Sequence, residues 1–170
     1  MTSAHGTGRV PRMRIHIERA QPDDARVIAE LEGELLHEIM AGAGVVFGFD
    51  PVATERRARA WLTEDHSVIW LAKDGESGHV VGFVAVYEAY ALYAEGTFGT
   101  ISELFVQPSH RSQGIGRTLV ETVKRWAADC RWTRLEVTTP PLPAFARTVS
   151  FYTRHEFSIS GGHKMKATVE

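Results

Sequence analysis

Six consecutive residues, Arg111 to Gly116, have the types and order that suit the binding of an anion. They read R-S-Q-G-I-G and stand where a helical pattern begins. The first N–H groups of a helix lack intrahelical partners, and the helix dipole favours negative charge at that end. Gly114 and Gly116 would let a ligand approach the backbone closely, and Arg111 adds a positive charge. The segment therefore predicts a site for a phosphate or pyrophosphate.

A strand and a helix must position this segment. The strand is predicted from a compact apolar run that ends at Pro108 and contains Ile101, Leu104, Phe105 and Val106. The helix is predicted from apolar residues at helical spacing, which are Ile115, Leu119, Val123 and Trp126. A tight strand-to-helix connection without a ligand would show the same glycines, so the glycines alone leave both interpretations open.

Two nucleotide-binding motifs do not fit the segment. A dinucleotide fingerprint, G-x-G-x-x-G, needs a third glycine where Leu119 stands, and a Walker A loop needs a lysine after Gly116. The segment instead resembles the acyl-CoA-binding motif of the Gcn5-related N-acetyltransferase (GNAT) superfamily. In that family a strand ending in V-x-P leads into R/Q-x-x-G-x-G/A at the start of a long helix. Val106-Gln107-Pro108 and Arg111 to Gly116 match this motif in order and spacing.

The resemblance implies two sets of contacts with acetyl-CoA, which would be the co-substrate. The pantetheine arm would pair with the backbone of Leu104, Phe105 and Val106, where this strand parts from a neighbouring strand at 135–139. The pyrophosphate would lie on the loop and the first helical turn, formed by Arg111, Ser112, Gln113, Gly114, Ile115, Gly116 and Arg117.

A second family signature, F-Y-x-x-x-G-F, matches Phe151 to Phe157 at all but one position. Tyr152 falls on the tyrosine that lies near the CoA sulfur in many members and can protonate the leaving thiolate. The resemblance therefore implies that Tyr152 is the catalytic acid and contacts the co-substrate, and a phenol is a neutral donor at pH 7. A buried core aromatic is the alternative. Glu156 stands where glycine is usual, at a helix end that often needs positive φ, so we expect strain or a changed shape there.

Glu103 is the candidate for the catalytic base. It lies three residues before Val106, where several relatives of the family carry an acidic residue. Simple alternation along a strand places its side chain on the same face as Ile101 and Phe105. A carboxylate among apolar neighbours has a raised pKa and could accept a proton through water. Pairing with an arginine and binding of a cationic substrate are the alternatives for this residue.

Acidic and aromatic side chains suit a cationic acceptor, such as a polyamine, an aminoglycoside or a lysine-like compound. The acidic residues are Glu30, Glu34, Glu38, Glu88, Glu95 and Glu103, and Glu88, Tyr90 and Tyr93 are weaker candidates for lining the acceptor pocket. The segment from Gly42 to Phe49 mixes glycines with apolar residues. It predicts either a mobile flap over a substrate site or a connection whose aromatic side chains fill the core.

Composition limits the class of protein. The 170 residues are 44% hydrophobic and 24% charged, with a formal net charge of −2, so we expect a folded domain that does not bind nucleic acid. The single cysteine, Cys130, excludes an intramolecular disulfide, and no residue set has metal-ligand spacing, so no metal is implied. No apolar stretch approaches the roughly 20 residues of a membrane helix. We therefore expect a cytoplasmic protein without a membrane partner.

The order of elements is predicted as β-α-α-β-β-β-α-β-α-β. Antiparallel strands followed by crossover units favour an α/β fold with a mixed, mostly antiparallel sheet and helices on both faces. This order resembles the GNAT fold. Residues 1–12 are predicted to be a flexible tail and residues 13–170 a single acetyltransferase domain.

The resemblance and the residues together predict an enzyme that transfers an acetyl group from acetyl-CoA to a primary amine of a small molecule. Direct attack in a ternary complex is expected, because no nucleophile is placed for a covalent intermediate. A non-catalytic acyl-CoA-binding regulatory module and a protein lysine or N-terminal acetyltransferase are the alternatives. The sequence leaves the acceptor, the acyl chain and a homodimeric state open.

Overall fold

The computed structural model describes residues 14–94, 96–160, 166, 167 and 169. The chain divides into two compact units, Met1–Thr138 and Thr139–Glu170. Within the described residues, the first unit carries a sheet and three α-helices, and the second carries one α-helix. The predicted tail at 1–12 and the predicted last strand around Met165 lie outside the described residues.

In the described part of the chain, the sheet of the first unit has five strands in the order β1-β2-β3-β4-β5. Their bounds are Ile15–Arg19 for β1, Val68–Asp74 for β2, Val80–Ala91 for β3, Gly96–Val106 for β4 and Leu135–Val137 for β5. The first three pairings are antiparallel, and β4 pairs with β5 in parallel. The predicted mixed and mostly antiparallel sheet is therefore confirmed.

The helices follow the predicted order. They are α1 at Ala25–Ala43, α2 at Pro51–Thr63, α3 at Ile115–Asp129 and, in the second unit, α4 at Ala146–Arg154. Asp50 caps α2 by accepting the Ala53 N–H at 3.0 Å, and Pro51 occupies the first helical position, where its missing N–H costs nothing. None of the helices in the described part of the chain is long and apolar enough to cross a bilayer.

One face of the sheet packs against α1 and α2. Its buried cluster consists of Ala20, Ala25, Ile28, Leu31, Ala58, Ile69, Leu71, Phe83, Ala85 and Phe105. Phe83 and Ala85 are alternate residues of β3, as expected for side chains on a single face of a strand. The residues between and after them, Val84 and Val86, are fully buried on the opposite face.

The opposite face packs against α3, which contacts β1 to β4. Leu119, Val120 and Val123 of this helix have no exposed surface, and Ile115 is 2% exposed. The predicted apolar stripe of α3 is therefore confirmed for Ile115, Leu119 and Val123, while Trp126 is only half-buried. This packing anchors the helix whose first turn carries the predicted anion site.

A β-bulge divides β4 into two parts. Ala85 of β3 pairs with Glu103 and Val86 pairs with Ile101, so Ser102 is an extra residue in β4. The Ser102 hydroxyl donates to the Ala85 carbonyl at 3.4 Å. Since consecutive β3 residues face opposite sides, Ile101 and Glu103 face opposite sides as well. The expectation that Glu103 shares a face with Ile101 is therefore wrong, because simple alternation does not account for the extra residue.

Candidate functional site

The loop between β4 and α3 has the backbone shape of an anion-binding nest. A 3₁₀ turn at Pro108–His110 is followed by Ser112 and Gly114, whose φ angles of 62° and 86° are left-handed. Left-handed residues set among extended or right-handed ones direct successive N–H groups to one side. A Cβ at Gly114 would meet no atom within 4 Å, so glycine suits this position because of its φ rather than for lack of space.

The first turn of α3 begins directly after this loop and has no capping side chain. Gly114 is the N-cap, and both the amide and the hydroxyl of Thr118 donate to its carbonyl, at 3.0 and 3.1 Å. The N–H groups of Ile115, Gly116 and Arg117 precede the first intrahelical bond. This end of a 15-residue helix therefore offers several donors and a favourable field to an anion.

The guanidinium group of Arg111 is bound to α1. Its two terminal nitrogens contact the Glu38 carboxylate at 3.0 and 2.5 Å, and its Nε donates to the Val106 carbonyl at 2.7 Å. The group also lies 5.5 Å from the centre of the Phe105 ring. The positive charge that the sequence predicts beside the loop is thus shared with a carboxylate, and Arg111 joins α1 to the end of β4.

Strands β4 and β5 part at the bulge. Their ladder consists of Gly99 with Leu135, Thr100 with Glu136 and Ile101 with Val137, and ends there. From Glu103 to Val106, β4 pairs with β3 on one edge, while no described strand pairs with the other edge. The bulge lies where this ladder ends, and a bulge bends its strand and increases the local twist. The backbone of Leu104, Phe105 and Val106 lies along this open edge.

Close packing fixes the paired end of β5. A Cβ on Gly99 would lie 2.2 Å from the Trp132 ring and 2.6 Å from Leu135, so only glycine lets these side chains approach β4. Trp132 is buried, contacts Trp126 edge to face at 4.8 Å, and donates from its indole nitrogen to Glu88 at 2.9 Å. The separation of the two strands is therefore confined to one end of the ladder.

A cleft lined by apolar surface and by two carboxylates, here called the acidic cleft, lies between α1 and the end of β4. Its volume is about 430 Å³, and its lining residues are Gly33, Glu34, His37, Glu38, Phe105 and Pro108. The Glu34 carboxylate accepts a hydrogen bond from Gln107 Nε2 at 3.0 Å, and Glu38 holds Arg111. Because Phe105 belongs both to the cleft and to the open edge, a cation in the cleft would lie beside that edge.

Helix α1 and strand β4 each contribute a carboxyl group to the space between them. Glu103 pairs with Ala85, which packs on the α1 side of the sheet. Glu32 precedes the cleft residue Gly33, and its Oε2 atom is enclosed without a hydrogen-bond partner among the described residues. Burial, and secondly the charge of Glu103, raise the pKa of Glu32 to about 8.

Glu32 is not among the residues that the sequence predicts for the site. Its spacing from apolar residues of α1 nevertheless indicates the side of the helix on which it lies. It stands four residues after Ile28 and three before Leu35, and both of these pack in the apolar cluster. A carboxyl group in such a row lies on the packed side of the helix. Among the described residues, no three His, Cys, Asp or Glu side chains are grouped so that they could hold a metal ion.

A comparison with families of known proteins identifies the architecture. The model described as the acetyltransferase (GNAT) family matches residues 34–157. The chain belongs to the GNAT acetyltransferase family. It is an acyl-CoA-dependent N-acetyltransferase with acetyl-CoA as its co-substrate.

Solved structures support the same fold. An integron cassette protein, HFX_CASS3, from the mobile metagenome of Cole Harbour Salt Marsh is 26% identical, with 91% of this chain and 90% of that chain covered and a TM-score of 0.73. A predicted acetyltransferase with acetyl-CoA from Clostridium acetobutylicum is 15% identical, with 91% and 96% covered and a TM-score of 0.73. Aminoglycoside N-acetyltransferase AAC(6')-Iy in complex with CoA is 18% identical, with 95% and 98% covered and a TM-score of 0.69. A comparison with curated proteins finds no match.

Tyr152 lies on α4, in the second unit of the acetyltransferase. Its side chain is buried and makes edge-to-face contacts with Phe151 and Phe157, each with 5.2 Å between ring centroids. Burial raises the pKa of the Tyr152 hydroxyl above its ordinary value, so the phenol is neutral at pH 7. A proton donor needs this state. The role of Tyr152 as the catalytic acid stays a prediction.

The end of α4 has the backbone that glycine usually provides. Glu156 has a φ of 68°, and its N–H donates to the Thr153 carbonyl at 3.2 Å, while that of Phe157 donates to Tyr152 at 3.1 Å. These bonds form a Schellman motif, and the rings of Tyr152 and Phe157 make its apolar contact. Glu156 thus adopts the left-handed backbone that glycine usually provides, and the helix end keeps its usual shape. A left-handed non-glycine residue costs roughly 1–2 kcal/mol.

The weaker acceptor-pocket candidates do not line the acidic cleft. Glu88 and Tyr90 lie toward the opposite end of the β3–β4 ladder. There the Tyr90 hydroxyl donates to the Glu88 carboxylate. This hydrogen bond, and secondly the one from the Trp132 indole, lower the pKa of Glu88. The ring of Tyr93 lies 5.1 Å from the Arg134 guanidinium. Glu95 lies outside the described residues, and Glu30 is exposed and pairs with Arg26 at 3.1 Å.

The segment between α1 and α2 lies beside the cleft. Phe49 packs against the backbone of Gly33, where an added Cβ would be 2.9 Å from the ring. The Phe47 N–H donates to the Met40 sulfur at 3.4 Å, whereas Val46 is 90% exposed. Of the two aromatic side chains, Phe49 is thus packed, whereas Phe47 is exposed, as Val46 is. A flap function for this segment stays a prediction.

Proposed function

We propose that this acetyltransferase transfers the acetyl group of acetyl-CoA to a primary amine of a small cationic molecule. The observation that carries the proposal is the position of the acidic cleft along the open edge of β4. Phe105 belongs to both, so an amine held by the cleft would be next to backbone suited to hold a thioester. The aminoglycoside acetyltransferases among the structural neighbours favour a cationic acceptor of this kind.

Main-chain groups would hold the co-substrate in this proposal. The backbone of Leu104, Phe105 and Val106 would pair with the pantetheine arm, and the segment from Ser112 to Arg117 would bind the pyrophosphate. The loop fits this role because its left-handed residues and the uncapped helix start present N–H groups that need an acceptor. Acetyl-CoA supplies an activated acyl group and a thiolate that can leave.

Side chains would move the protons. Glu103 would take a proton from the acceptor ammonium, and Tyr152 would give one to the departing thiolate. The amine would attack directly in a ternary complex. The one thiol of the chain, Cys130, follows the last residue of α3, at the end opposite the glycine loop. A helix of 15 residues is about 22 Å long, so Cys130 is too far from the loop to carry an acyl group.

The proposal is tested by measuring thiol release from acetyl-CoA with an aminoglycoside, a polyamine and a lysine-bearing peptide as acceptors. Calorimetric titration with CoA runs alongside. We expect CoA binding and faster thiol release with at least one small amine than with the peptide. CoA binding without turnover on any amine would favour the alternative of a regulatory module. Turnover on the peptide alone would favour the alternative of a protein lysine or N-terminal acetyltransferase.

The role of Tyr152 is tested separately with Tyr152→Phe. Loss of a general acid typically lowers the rate about 10²- to 10⁴-fold, so we expect kcat to fall by roughly this factor while the Kd for CoA is unchanged. Tyr87→Phe is the control, because Tyr87 is exposed on β3 and is not a candidate acid. An unchanged kcat in Tyr152→Phe would show that another group protonates the thiolate.

The homodimeric state stays a prediction that gel filtration can test.

A further inference from the structure

Glu32 is half-buried and lies on the side of α1 that faces the sheet. Its neighbours in the same helical row, Ile28 and Leu35, belong to the packed apolar region. The Oε2 atom is enclosed and has no hydrogen-bond partner in the part of the chain that the structure describes. An ionised carboxylate in such a place is far costlier to bury than a neutral carboxylic acid. Burial therefore raises the pKa of Glu32 well above that of an ordinary glutamate.

Strand β4 presents a second carboxyl group on the same side. The bulge at Ser102 directs Glu103 toward α1, because Glu103 pairs with Ala85 of the α1-side cluster. The negative charge of Glu103 contributes, after burial, to the raised pKa of Glu32. A second negative charge close to a partly buried carboxyl group makes its ionisation costlier, and carboxyl groups that interact strongly titrate as a pair.

The other elements packed on α1 do not supply Glu32 with a cation. The charged or titratable residues of these elements and the loop after β4 are Asp23, Asp24, Glu55, Arg56, Arg57, Arg59, Tyr87, Glu88, Tyr90, Glu103, His110 and Arg111. Arg56 and Arg57 are exposed, and Arg57 donates to the Thr54 hydroxyl. Arg59 is bound to Asp23 and Glu55, and Arg111 is bound to Glu38. Neither guanidinium group pairs with Glu32. The charge state of Glu32 therefore depends on its burial and on Glu103.

We propose that Glu32 and Glu103 share one proton across the boundary between α1 and β4, so that a neutral Glu32 keeps Glu103 ionised beside the acidic cleft. Glu32 is thus a positioning residue that acts through Glu103, and its catalytic consequence rests on the proposed function. Glu103 takes one proton from the acceptor ammonium, and the freed amine forms the N–C bond. As the C–S bond breaks, the nitrogen loses its second proton and the departing thiolate gains one, so the sulfur leaves as a thiol. The pair then holds two protons and returns one to solvent.

Proton sharing is tested without any turnover by following the side-chain carboxyl ¹³C signals in NMR from pH 4 to pH 10. We expect Glu32 to titrate near pH 8, whereas Glu30 on the same helix serves as an exposed internal control. In Glu103→Gln we expect the midpoint of Glu32 to fall by at least about half a pH unit while staying above that of Glu30, since burial is the larger cause. A Glu32 midpoint at that of Glu30, or one that Glu103→Gln leaves in place, would overturn the proposal.

The catalytic consequence is tested with the pH profile of kcat/KM for the best acceptor amine. The wild-type profile should contain an ionisation near pH 8 that disappears in Glu32→Gln and persists in the control Glu30→Gln. A merely structural residue would change the rate by the same factor at all pH values. A Glu32→Gln profile that keeps the wild-type ionisation near pH 8 would therefore contradict the positioning role. Absence of turnover with every amine would instead count against the proposed function, and the NMR titration would still decide whether the proton is shared.

Discussion

The open edge of β4 and the face of β4 under α1 are two functional surfaces of one strand, and they are built from different parts of the chain. The edge offers main-chain groups, continued by the N–H groups at the start of α3. The face offers the side chains of Glu103 and Phe105, opposite the carboxyl groups of α1. Residue identity matters on the edge only through the backbone shape it allows, whereas on the face it sets charge and proton affinity.

This difference predicts different responses to substitution. The edge and loop should tolerate most side-chain changes but not a change of φ or of strand register. The face should tolerate small backbone shifts but not the loss of a carboxyl group. A variant that affects both surfaces equally would show that the two are one coupled site.

Gly114→Val should have the largest effect on the edge. Its left-handed φ of 86° penalises a β-branched side chain, and the added atoms stand where an anion would approach. We expect the Kd for CoA to rise about 10- to 100-fold by calorimetry, in line with a loss of roughly 1–3 kcal/mol. Gly78→Val is the matched control, because Gly78 has a φ of 73° and equally open surroundings in the β2–β3 turn. Equal loss of CoA binding in both variants would contradict a specific role for the loop.

Deletion of Ser102 should close the open edge. Without the extra residue, Ile101 and Glu103 would still pair with Val86 and Ala85, so every remaining side chain would keep its face. The bend would be lost, and we expect β4 to remain paired with β5 beyond Ile101. CoA affinity should fall about tenfold, the cost of about 1.4 kcal/mol, while the circular dichroism spectrum is retained. Unchanged affinity would show that the bulge does not open the edge.

Glu34→Gln should affect the face and not the edge. It removes one carboxylate from the cleft while the amide can still bond with Gln107. An exposed charge contact contributes about 1 kcal/mol or less, so we expect KM for a cationic amine to rise about two- to fivefold with an unchanged Kd for CoA. An acceptor amine with less positive charge should show a smaller increase in KM. A larger loss of CoA binding than of amine binding would reverse the assignment of the two surfaces.

The smallest expected effect concerns Arg111, which links the two surfaces through Glu38. Both side chains are about 40% exposed, with values of 40% and 41%, so screening by solvent limits their coupling. A double-mutant cycle of Arg111→Lys and Glu38→Gln, measured by urea unfolding, should give a coupling free energy of about 0.5–1 kcal/mol. The exposed pair of Arg117 and Glu121 is the control and should give less. Equal coupling free energies in the two pairs would contradict a specific link between the two surfaces through Arg111 and Glu38.

The edge was the part of the site that could be predicted from the sequence. Glycines, proline and a helical pattern report backbone conformation directly, so the loop at 111–116 and the helix at Ile115–Asp129 followed from residue types. The order of elements through α4 is also confirmed. The same patterns predict little about the face, because the face depends on which side chains meet across α1 and β4.

Two features of the face could not be predicted by simple periodicity. The bulge at Ser102 changes the side on which Ile101 lies relative to Glu103, and no proline or glycine marks it. The burial of Glu32 depends on packing among α1, α2 and the sheet, although its place in an apolar row gave a hint. Both features concern proton transfer, so the chemistry of the acceptor side was harder to predict than the binding of acetyl-CoA.

The end of α4 has a consequence for recognising distant relatives of this protein. At Glu156 the residue type departs from the family's F-Y-x-x-x-G-F signature, yet the turn keeps both Schellman hydrogen bonds and the ring contact between Tyr152 and Phe157. A pattern search that insists on glycine at this position would pass over this chain. A search profile that scores the aromatic pair and allows any residue able to tolerate a left-handed φ would retain it.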